Sequence, residues 1–430
     1  RRTPCRASTV EWSQHTKASD QLSRSSNNRY LHWDELKYRH DDSAEKEKIW
    51  ILMKMLRTSE ELRICSIRFQ YSMIPSFTKL LHYIDRDAAG LTELEKPATK
   101  DAQRYVINSL MEEAIASSQL EGAATTRKDA KRMLRTNSKP KTIDERMILN
   151  NYLAMQNIKA KRYEKLTPEL ILEMHRIIVK DTLKDGGEWG GRFREDNETV
   201  VGDPEREEVI FHRPPDCDKI SSMISELCDF ANGEDARYIH PIIKATILHF
   251  MIGYIHPFID GNGRLARSLF YWFALKNGYW LFEYTSISLI IKKSQTKYGL
   301  AYQYSETDDN DLTYFIKFHL ECINKAVVEL AEYISRKEKE QRAACRIVES
   351  HPELNATEVL IMKDLIKSRS IVSIGEIKTK YHIAYQTARL YVMHLESLGY
   401  LLKAGRDRKK VLYRIDADRV CDMEGQMRLS

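Results

Sequence analysis

The chain has 430 residues, of which 42% are hydrophobic and 30% charged, with 17 Gly and 11 Pro. That is about three domain-equivalents with ample apolar material for cores, which excludes low-complexity and fibrous chains. No run approaches the ~18 uncharged apolar residues that a bilayer span needs, and no apolar segment follows the basic Arg1-Arg2-Thr3-Pro4-Cys5-Arg6, so neither a membrane span nor a secretory leader is expected.

The net charge of +6 is unevenly placed. Residues 356–415 hold twelve Lys and Arg against five Asp and Glu, a net +7, so the remainder of the chain is close to neutral. The seven cysteines (5, 65, 217, 228, 322, 345 and 421) are irregularly spaced and form no C-x-x-C, which fits reduced thiols in a cytoplasmic protein better than a disulfide framework or a zinc site.

Along the chain, residues 1–28 are polar and Ser/Arg-rich and read as a flexible arm. Residues 29–100 read as an N-terminal helical region. One helix opens at a capping Ser43, and a second helical stretch carries Phe69, Tyr71, Ile74, Leu80, Leu81 and Ile84. Trp33, Trp50 and Trp189 read as core or docking anchors. A long amphipathic pattern from Asp101 stops at Gly122, and helical signals recur at 126–136, 143–162, 167–181, 216–231, 240–255, 263–276, 286–304 and 311–347. Between two of these, Thr199 to Phe211 has the β-formers and the Gly202-Asp203-Pro204 turn of a short hairpin. The acidic run Glu306 to Asp311 reads as a solvated loop. Residues 336–355 read as a charged helical connector. From 356 to 430, three short helices and two strand-like runs with a basic tip outline a winged helix-turn-helix. The predicted class is therefore an all-α core with a β-hairpin and a C-terminal α+β domain.

The chemistry is concentrated in His256-Pro-Phe-Ile-Asp-Gly-Asn-Gly-Arg-Leu-Ala-Arg267. Pro257 disfavours helix in the residue before it, so the helix at 240–255 stops at His256. Gly261 and Gly263 permit a tight turn into the next helix, whose first N–H groups make an anion site. Arg264 and Arg267 are three residues apart and suit phosphate oxygens. Asp260 is an oxygen ligand of the kind Mg²⁺ uses beside phosphates. His256 is the side chain here whose ordinary pKa suits a general base. Read as a bare turn, Asp-Gly-Asn-Gly would leave the histidine and both arginines unexplained. As a calcium loop it fails in either register, because Phe258 and Leu269, or Leu265, then fall where oxygen ligands or an obligatory glycine belong.

The segment His256–Arg267 resembles the signature HPFx[DE]GNGRxxR of the Fic (Fic/DOC) domain family at every position. The resemblance extends over roughly 101–335, with the hairpin near 199–211 in place of the family's target-positioning flap. It implies an all-α core that moves AMP from ATP to a protein hydroxyl. On that resemblance His256 deprotonates the target Ser, Thr or Tyr, and Asp260 holds Mg²⁺. The turn Gly261, Asn262 and Gly263 cradles the α/β-phosphates, Arg264 contacts the phosphate chain, and Arg267 engages the γ-phosphate.

Upstream, Ser117-Ser-Gln-Leu-Glu121-Gly122 fits the family's inhibitory motif [ST]xxxE[GN]. Ser117 and Glu121 share a helix face and Gly122 ends the helix. Read alone they are an ordinary exposed Ser and Glu. Beside a complete signature, the resemblance pairs Glu121 with Arg267 as a brake. Holding a site 99:1 closed takes about 2.7 kcal/mol, and breaking one buried charge pair costs about 3–5 kcal/mol, so a single contact suffices.

In the C-terminal domain, Gln386, Thr387, Arg389 and Tyr391 on the third helix, with Arg406, Arg408, Lys409 and Lys410 on the wing, suit DNA. Protein docking or a homodimer is the competing use of that face. His249 reads as a hydrogen-bonded core residue, and Tyr298 and Tyr302 either flank an adenine or pack between helices. The expected activity is an inhibited, Mg²⁺-dependent protein adenylyltransferase, with the chain itself as one candidate target. A DNA-binding regulator with a nucleotide-sensing site and a de-AMPylating hydrolase remain open beside it.

Overall fold

The computed structural model describes residues 29–39, 42–88, 100–183, 187–203, 206–233, 238–350, 353–368, 371–407 and 410–416. The flexible arm expected at 1–28, Pro204, Arg408, Lys409 and the side chain of Arg406 lie outside the described residues. Apart from the first residues of helix 100–120, the described chain forms two compact units, one running to Val327 and the other from Val328.

The first unit is mostly helical. Helices α1 (Trp33–Leu36) and α2 (Ser43–Leu56) precede a hairpin of β1 (Glu60–Ile64) and β2 (Ile67–Tyr71), then α3 (Pro75–Ala88) and α4 (Lys100–Leu120). Two features here correct the sequence reading. Asp42, not Ser43, caps α2, its carboxylate accepting the Ala44 N–H at 2.8 Å. Phe69 and Tyr71 belong to a strand: β1 and β2 pair antiparallel from Glu60↔Tyr71 to Ile64↔Ile67. The turn between them is Cys65-Ser66, both at positive φ (55° and 58°), as a two-residue type I′ hairpin requires.

Next come α5 (Arg127–Thr136), α6 (Ile143–Ala160) and α7 (Pro168–Val179). Each is capped by a threonine side chain (Thr126, Thr142 and Thr167) accepting a first-turn N–H. A second hairpin, β3 (Val201–Asp203) and β4 (Arg206–His212), lies where the sequence placed one. Its base is fixed by His212, whose ring nitrogens lie 2.7 Å from Glu306 Oε2 and 2.7 Å from the Tyr254 carbonyl.

The centre is built by α8 (Ile220–Asn232), α9 (Pro241–Ile255) and α10 (Asn262–Lys276). Helix α9 is covered on every side: Ile242 to Ile252 and Ile255 are all buried, Lys244, Thr246 and His249 among them. The predicted helix at 286–304 is two, α11 (Ile287–Lys292) and α12 (Gln295–Thr307), followed by the long α13 (Thr313–Ser350).

The acidic run before α13 is not a solvated loop. Asp308 and Asp311 are each 1% exposed. Asp308 receives Lys54 Nζ at 2.7 Å, Arg57 Nη1 at 3.1 Å and the Tyr314 hydroxyl at 2.8 Å, while Asp311 accepts the Tyr30 hydroxyl at 2.6 Å. Burial pushes the Asp311 carboxyl up, with hydrogen bonds from Thr313 and Tyr30 working against that shift. These carboxylates tie the N-terminal segment into the first unit, since a buried charge is tolerated only with such partners.

The second unit carries α14 (Ala356–Ser368), β5 (Val372–Ser373), α15 (Ile374–Tyr381), α16 (Tyr385–Ser397), β6 (Leu401–Asp407) and β7 (Lys410–Ile415). The strands form an antiparallel sheet in the order β5-β7-β6, one short strand more than the sequence suggested. Ile361, Met362, Leu365, Ile377, Val392, Leu395, Leu401 and Tyr413 make its core. A Ser373–Glu376 capping box starts α15. No helix among the described residues is long and apolar enough to cross a membrane.

Candidate active site

Helix α9 begins with Pro241 behind an N-capping His240, whose Nδ1 accepts the Ile242 N–H at 3.2 Å and whose Nε2 faces Asp85 at 3.0 Å. It ends on His256 in left-handed geometry (φ 47°, ψ 58°), which turns the chain sharply ahead of Pro257. A histidine held there is uncommon and marks a conformation that the surroundings impose.

Those surroundings are specific. Asn262 staples the turn from inside: its Oδ1 accepts the Phe258 N–H at 3.0 Å and its Nδ2 donates to the Phe258 carbonyl at 2.6 Å. Arg194, 2% exposed, donates Nε to the His256 carbonyl at 3.0 Å and its backbone N–H to the Pro257 carbonyl at 2.9 Å. Phe258 stacks on His175 with ring centroids 3.6 Å apart. His175 Nδ1 accepts the Gly191 N–H at 3.0 Å, which leaves Nε2 to donate to the Asp260 carbonyl at 2.8 Å. The Gly191 contact requires the neutral ring, and burial lowers its pKa to about 4. Gly261 sits at φ 87°, with Val179 so near that a Cβ would stand 2.8 Å from Cγ1.

With its backbone so held, His256 has Nδ1 3.4 Å from the Gly253 carbonyl. When Nδ1 carries the proton toward that carbonyl, Nε2 is left as the free base. Burial lowers the His256 pKa to about 4, with the Gly253 contact opposing and His212 adding to the shift. The ring is therefore neutral at physiological pH, as a proton acceptor must be.

Asp260 has a half-exposed carboxylate. Its Oδ1 accepts the Gly261 N–H at 2.5 Å and its Oδ2 receives Arg264 Nη2 at 3.2 Å. Arg264 is 0% exposed. Its Nη1 donates to the Ile178 carbonyl at 3.1 Å, and its Nε is buried without a hydrogen-bond partner. A fixed guanidinium with a spare donor beside an accessible carboxylate fits an anion bridged by a divalent cation. Among the described residues no cluster of three or more His, Cys, Asp or Glu could form an all-protein metal cage.

Across the turn, α4 presents the upstream motif. Arg267, 3% exposed, donates Nε to Ser117 Oγ at 2.8 Å and Nη2 to both the Ser117 carbonyl at 3.0 Å and Glu121 Oε1 at 2.7 Å. Burial works against the charge on Arg267, but the Glu121 carboxylate and Tyr298 more than offset it and the guanidinium is pushed up. Gly122 follows at φ 94°, a left-handed helix stop. The Glu121 carboxylate also lies over Gly263, so close that a Cβ added there would run into it. Glu121 thus occupies the N-terminus of α10, the position where the exposed N–H groups favour an anion.

The structure brings together Ser117, Glu121, His256, Asp260, Gly261, Asn262, Gly263, Arg264 and Arg267. Tyr298 and Tyr302 are packing residues: the Tyr298 hydroxyl lies 2.9 Å from the buried His249 Nε2, and Tyr302 packs on Gly253. Two residues were missed. His175 resembles any histidine on an amphipathic helix, and Arg194 any basic loop residue, because their partners are backbone atoms that sequence does not display. In the second unit Gln386, Arg389 and Lys410 are exposed and Thr387 is half-buried. The same face of α16 also shows Tyr385, Leu390 and Met393, at 50%, 66% and 50% exposure.

Residues 165–274 match the family model of the Fic/DOC family. The chain is 32% identical over 193 residues to "Protein adenylyltransferase Fic" of Drosophila willistoni and 30% identical over 193 residues to that of Drosophila melanogaster, in each case over 44% of this chain. It spans about a third of the length of these curated relatives, 34% and 35% respectively. Among solved structures, a Fic family protein from Desulfovibrio desulfuricans G20 superposes with a TM-score of 0.55 at 18% identity, covering 80% of this chain and 97% of that one. Fic-1 from C. elegans gives 0.53 at 16% identity, covering 75% and 86%. The match to the Fic/DOC family is thus carried by residues 165–274.

Proposed function

We propose that this chain is a protein adenylyltransferase, moving AMP from ATP to a hydroxyl side chain of a target protein, itself included. The observation that carries this is the neutral imidazole of His256 fixed beside a turn that offers N–H groups, two arginines and one carboxylate to a phosphate chain. His256 Nε2 takes the proton of the target hydroxyl. The oxygen then attacks the α-phosphorus, the new P–O bond forms, and the bond to the β-phosphate breaks to release pyrophosphate.

Gly261, Asn262 and Gly263 shape the cradle, Asn262 by stapling the turn rather than by reaching outward. Arg264, held by the Ile178 carbonyl and Asp260, is the contact to the phosphate chain, and Arg267 is the γ-phosphate partner. Mg²⁺ on Asp260 would neutralise phosphate charge when bound. Ser117, Glu121 and Gly122 form the brake, in which Glu121 takes up both the Arg267 Nη2 donor and the anion position over Gly263.

The second unit, with three helices and a three-stranded sheet, fits a winged helix-turn-helix. We assign it DNA contact through Gln386, Thr387, Arg389 and the wing Arg406, Arg408, Lys409 and Lys410. Such binding would weaken steeply with added salt. The apolar Leu390 and Met393 on the same helix support the alternative, a protein contact or homodimer. A cytoplasmic setting rests on the unpaired Cys65, Cys217, Cys228 and Cys322.

The test is incubation with ATP labelled at the α-phosphate. Glu121→Gly is expected to raise label transfer to protein by about a hundredfold, the release of a 99:1 block. Equal transfer by wild type and Glu121→Gly at saturating ATP would remove the brake from this account. A second reading rests on the same carboxylate: Glu121, which acts on His256 electrostatically and lies over Gly263 at the start of α10, would orient water for hydrolysis of AMP from a target. Loss of AMP from a pre-modified substrate in wild type but not in Glu121→Gly would select it.

A further inference from the structure

Helices α4 and α10 meet along a polar seam with a fixed register. Glu121 lies over Gly263. One turn back along α4 and one turn forward along α10, Ser117 receives Arg267 through both Oγ and its carbonyl. One turn further in each direction, Glu113 accepts the Tyr271 hydroxyl at 2.7 Å. Each step is four residues on both helices and in opposite senses, so two stripes face each other antiparallel. Both the family resemblance and the sequence pattern pass over Glu113.

The two ends of this seam are held very differently. Glu121 has a side chain 28% exposed and accepts a single hydrogen bond from Arg267. Glu113 is 1% exposed and accepts four: from Tyr271, from the Ser286 hydroxyl at 2.8 Å, from the Ser288 N–H at 3.1 Å, and from the Ser288 hydroxyl. Pulling a fully hydrogen-bonded carboxylate out of such a site strands several polar groups at once, whereas the exposed Glu121, just past the helix end and followed by Gly122, is released at less cost. The Glu121 end is therefore the weaker end of the seam.

We propose that Glu113 anchors α4 in place while the brake is released, so that α4 stays seated during AMP transfer and Ser117 positions Arg267 in the inhibited and the active state alike. This rests on the adenylyltransferase reading above. Removing the Glu121 carboxylate frees one Arg267 contact and the space over Gly263, yet leaves both Ser117 contacts intact. The inhibitory helix is then also a bracket for the residue it inhibits, and Glu113 is a positioning residue acting through it.

The experiment measures kcat and KM for ATP in Glu121→Gly alone and with Glu113→Ala or Glu113→Gln added. Glu113→Ala is expected to raise KM for ATP about tenfold with a smaller change in kcat, because a misaimed Arg267 loses its ionic hydrogen bonds to nucleotide. Glu113→Gln keeps an oxygen for Tyr271, Ser286 and the Ser288 N–H and can donate to the Ser288 hydroxyl, so it is expected to match Glu121→Gly. With Glu121 present, Glu113→Ala is expected to stay far below the Glu121→Gly rate.

If Glu113→Ala with Glu121 intact transfers AMP as fast as Glu121→Gly, the helix leaves bodily and this inference falls while the enzyme reading stands. If Glu121→Gly transfers no AMP, the enzyme reading falls, and the bracket is judged by calorimetry: ATP affinity unchanged by Glu113→Ala overturns it too. Should Glu113→Ala not fold, Tyr271→Phe with Ser288→Ala on Glu121→Gly is expected to raise KM in the same direction, and an unchanged KM overturns the inference.

Discussion

Two helices in this chain end alike. Helix α9 stops on His256 at φ 47°, and α15, in the other unit, stops on His382 at φ 52°; each caps its helix with a left-handed histidine and hands the chain through a short turn to another helix. Around His382 the turn is exposed or half-buried and leads within three residues to α16. Around His256 the turn is longer, and Pro257, Phe258, Gly261 and Asn262 are buried. Asn262 at its end, and His175 and Arg194 from two other segments, bond to its backbone. The left-handed stop alone is therefore only a way to end a helix. What turns one of them into a site is the buried polar frame around it, which fixes the outward groups without using them.

The sharpest test removes the outward group. His256→Ala leaves the frame intact and is expected to lower AMP transfer by about 10²–10⁴ in the Glu121→Gly background, the range for loss of a general base. Nucleotide binding, read by calorimetry, should hardly change. Retained transfer would mean that the turn binds nucleotide for another purpose.

Removing the frame while keeping the base is the next test. Asn262→Ala strands the Phe258 N–H and carbonyl, at a cost of about 2–4 kcal/mol of stability. It is expected to reduce both ATP binding and transfer, since the turn loses its shape. Thermal melting and nucleotide affinity should fall together. A variant of normal affinity would show that Asn262 is not what holds the cradle.

The two regions also differ in how plainly sequence announces them. The turn was legible because its requirements are local: a proline to stop α9, glycines for the bend, arginines one turn apart. Its frame was not, because His175 and Arg194 recognise carbonyls and N–H groups that carry no residue identity. The same rule explains the N-terminal errors. Asp308 and Asp311 read as solvent-facing because their partners Arg57 and Tyr30 lie some 250 residues or more away. Phe69 and Tyr71 read as helical because the Cys65-Ser66 turn lacks the Asn or Gly that ordinarily announces a type I′ hairpin.

The frame also sets a pH dependence. Burial lowers His32, His175 and His256 to about 4 and His319 to about 3, all in the first unit. Each is neutral when folded and takes up a proton near its ordinary 6.5 when unfolded. The stability they contribute is complete above pH 6.5 and is lost as pH falls from there through about 4, because in that window the unfolded chain binds more protons. The melting temperature should fall steadily between pH 7 and 4.5, while transfer by Glu121→Gly should show no inflection near 6.5 from His256. A flat melting profile would mean that these rings titrate normally.

The smallest effect comes from the other histidine stop. A left-handed residue with a Cβ carries a steric cost of roughly 1–2 kcal/mol, and glycine removes that cost while giving back part of it as chain entropy. His382→Gly is therefore expected to stabilise the second unit by about 1 kcal/mol or less, seen as slower amide exchange in β6 and β7 of the full chain, with AMP transfer unchanged. The same change at His256 would relieve the same strain and abolish transfer. Opposite outcomes from one substitution at two matching backbone positions would separate strain that merely ends a helix from strain that holds a base where it is needed. If His382→Gly instead destabilised its unit, that imidazole would be making contacts of its own, and the contrast between an empty stop and an occupied one would have to be redrawn.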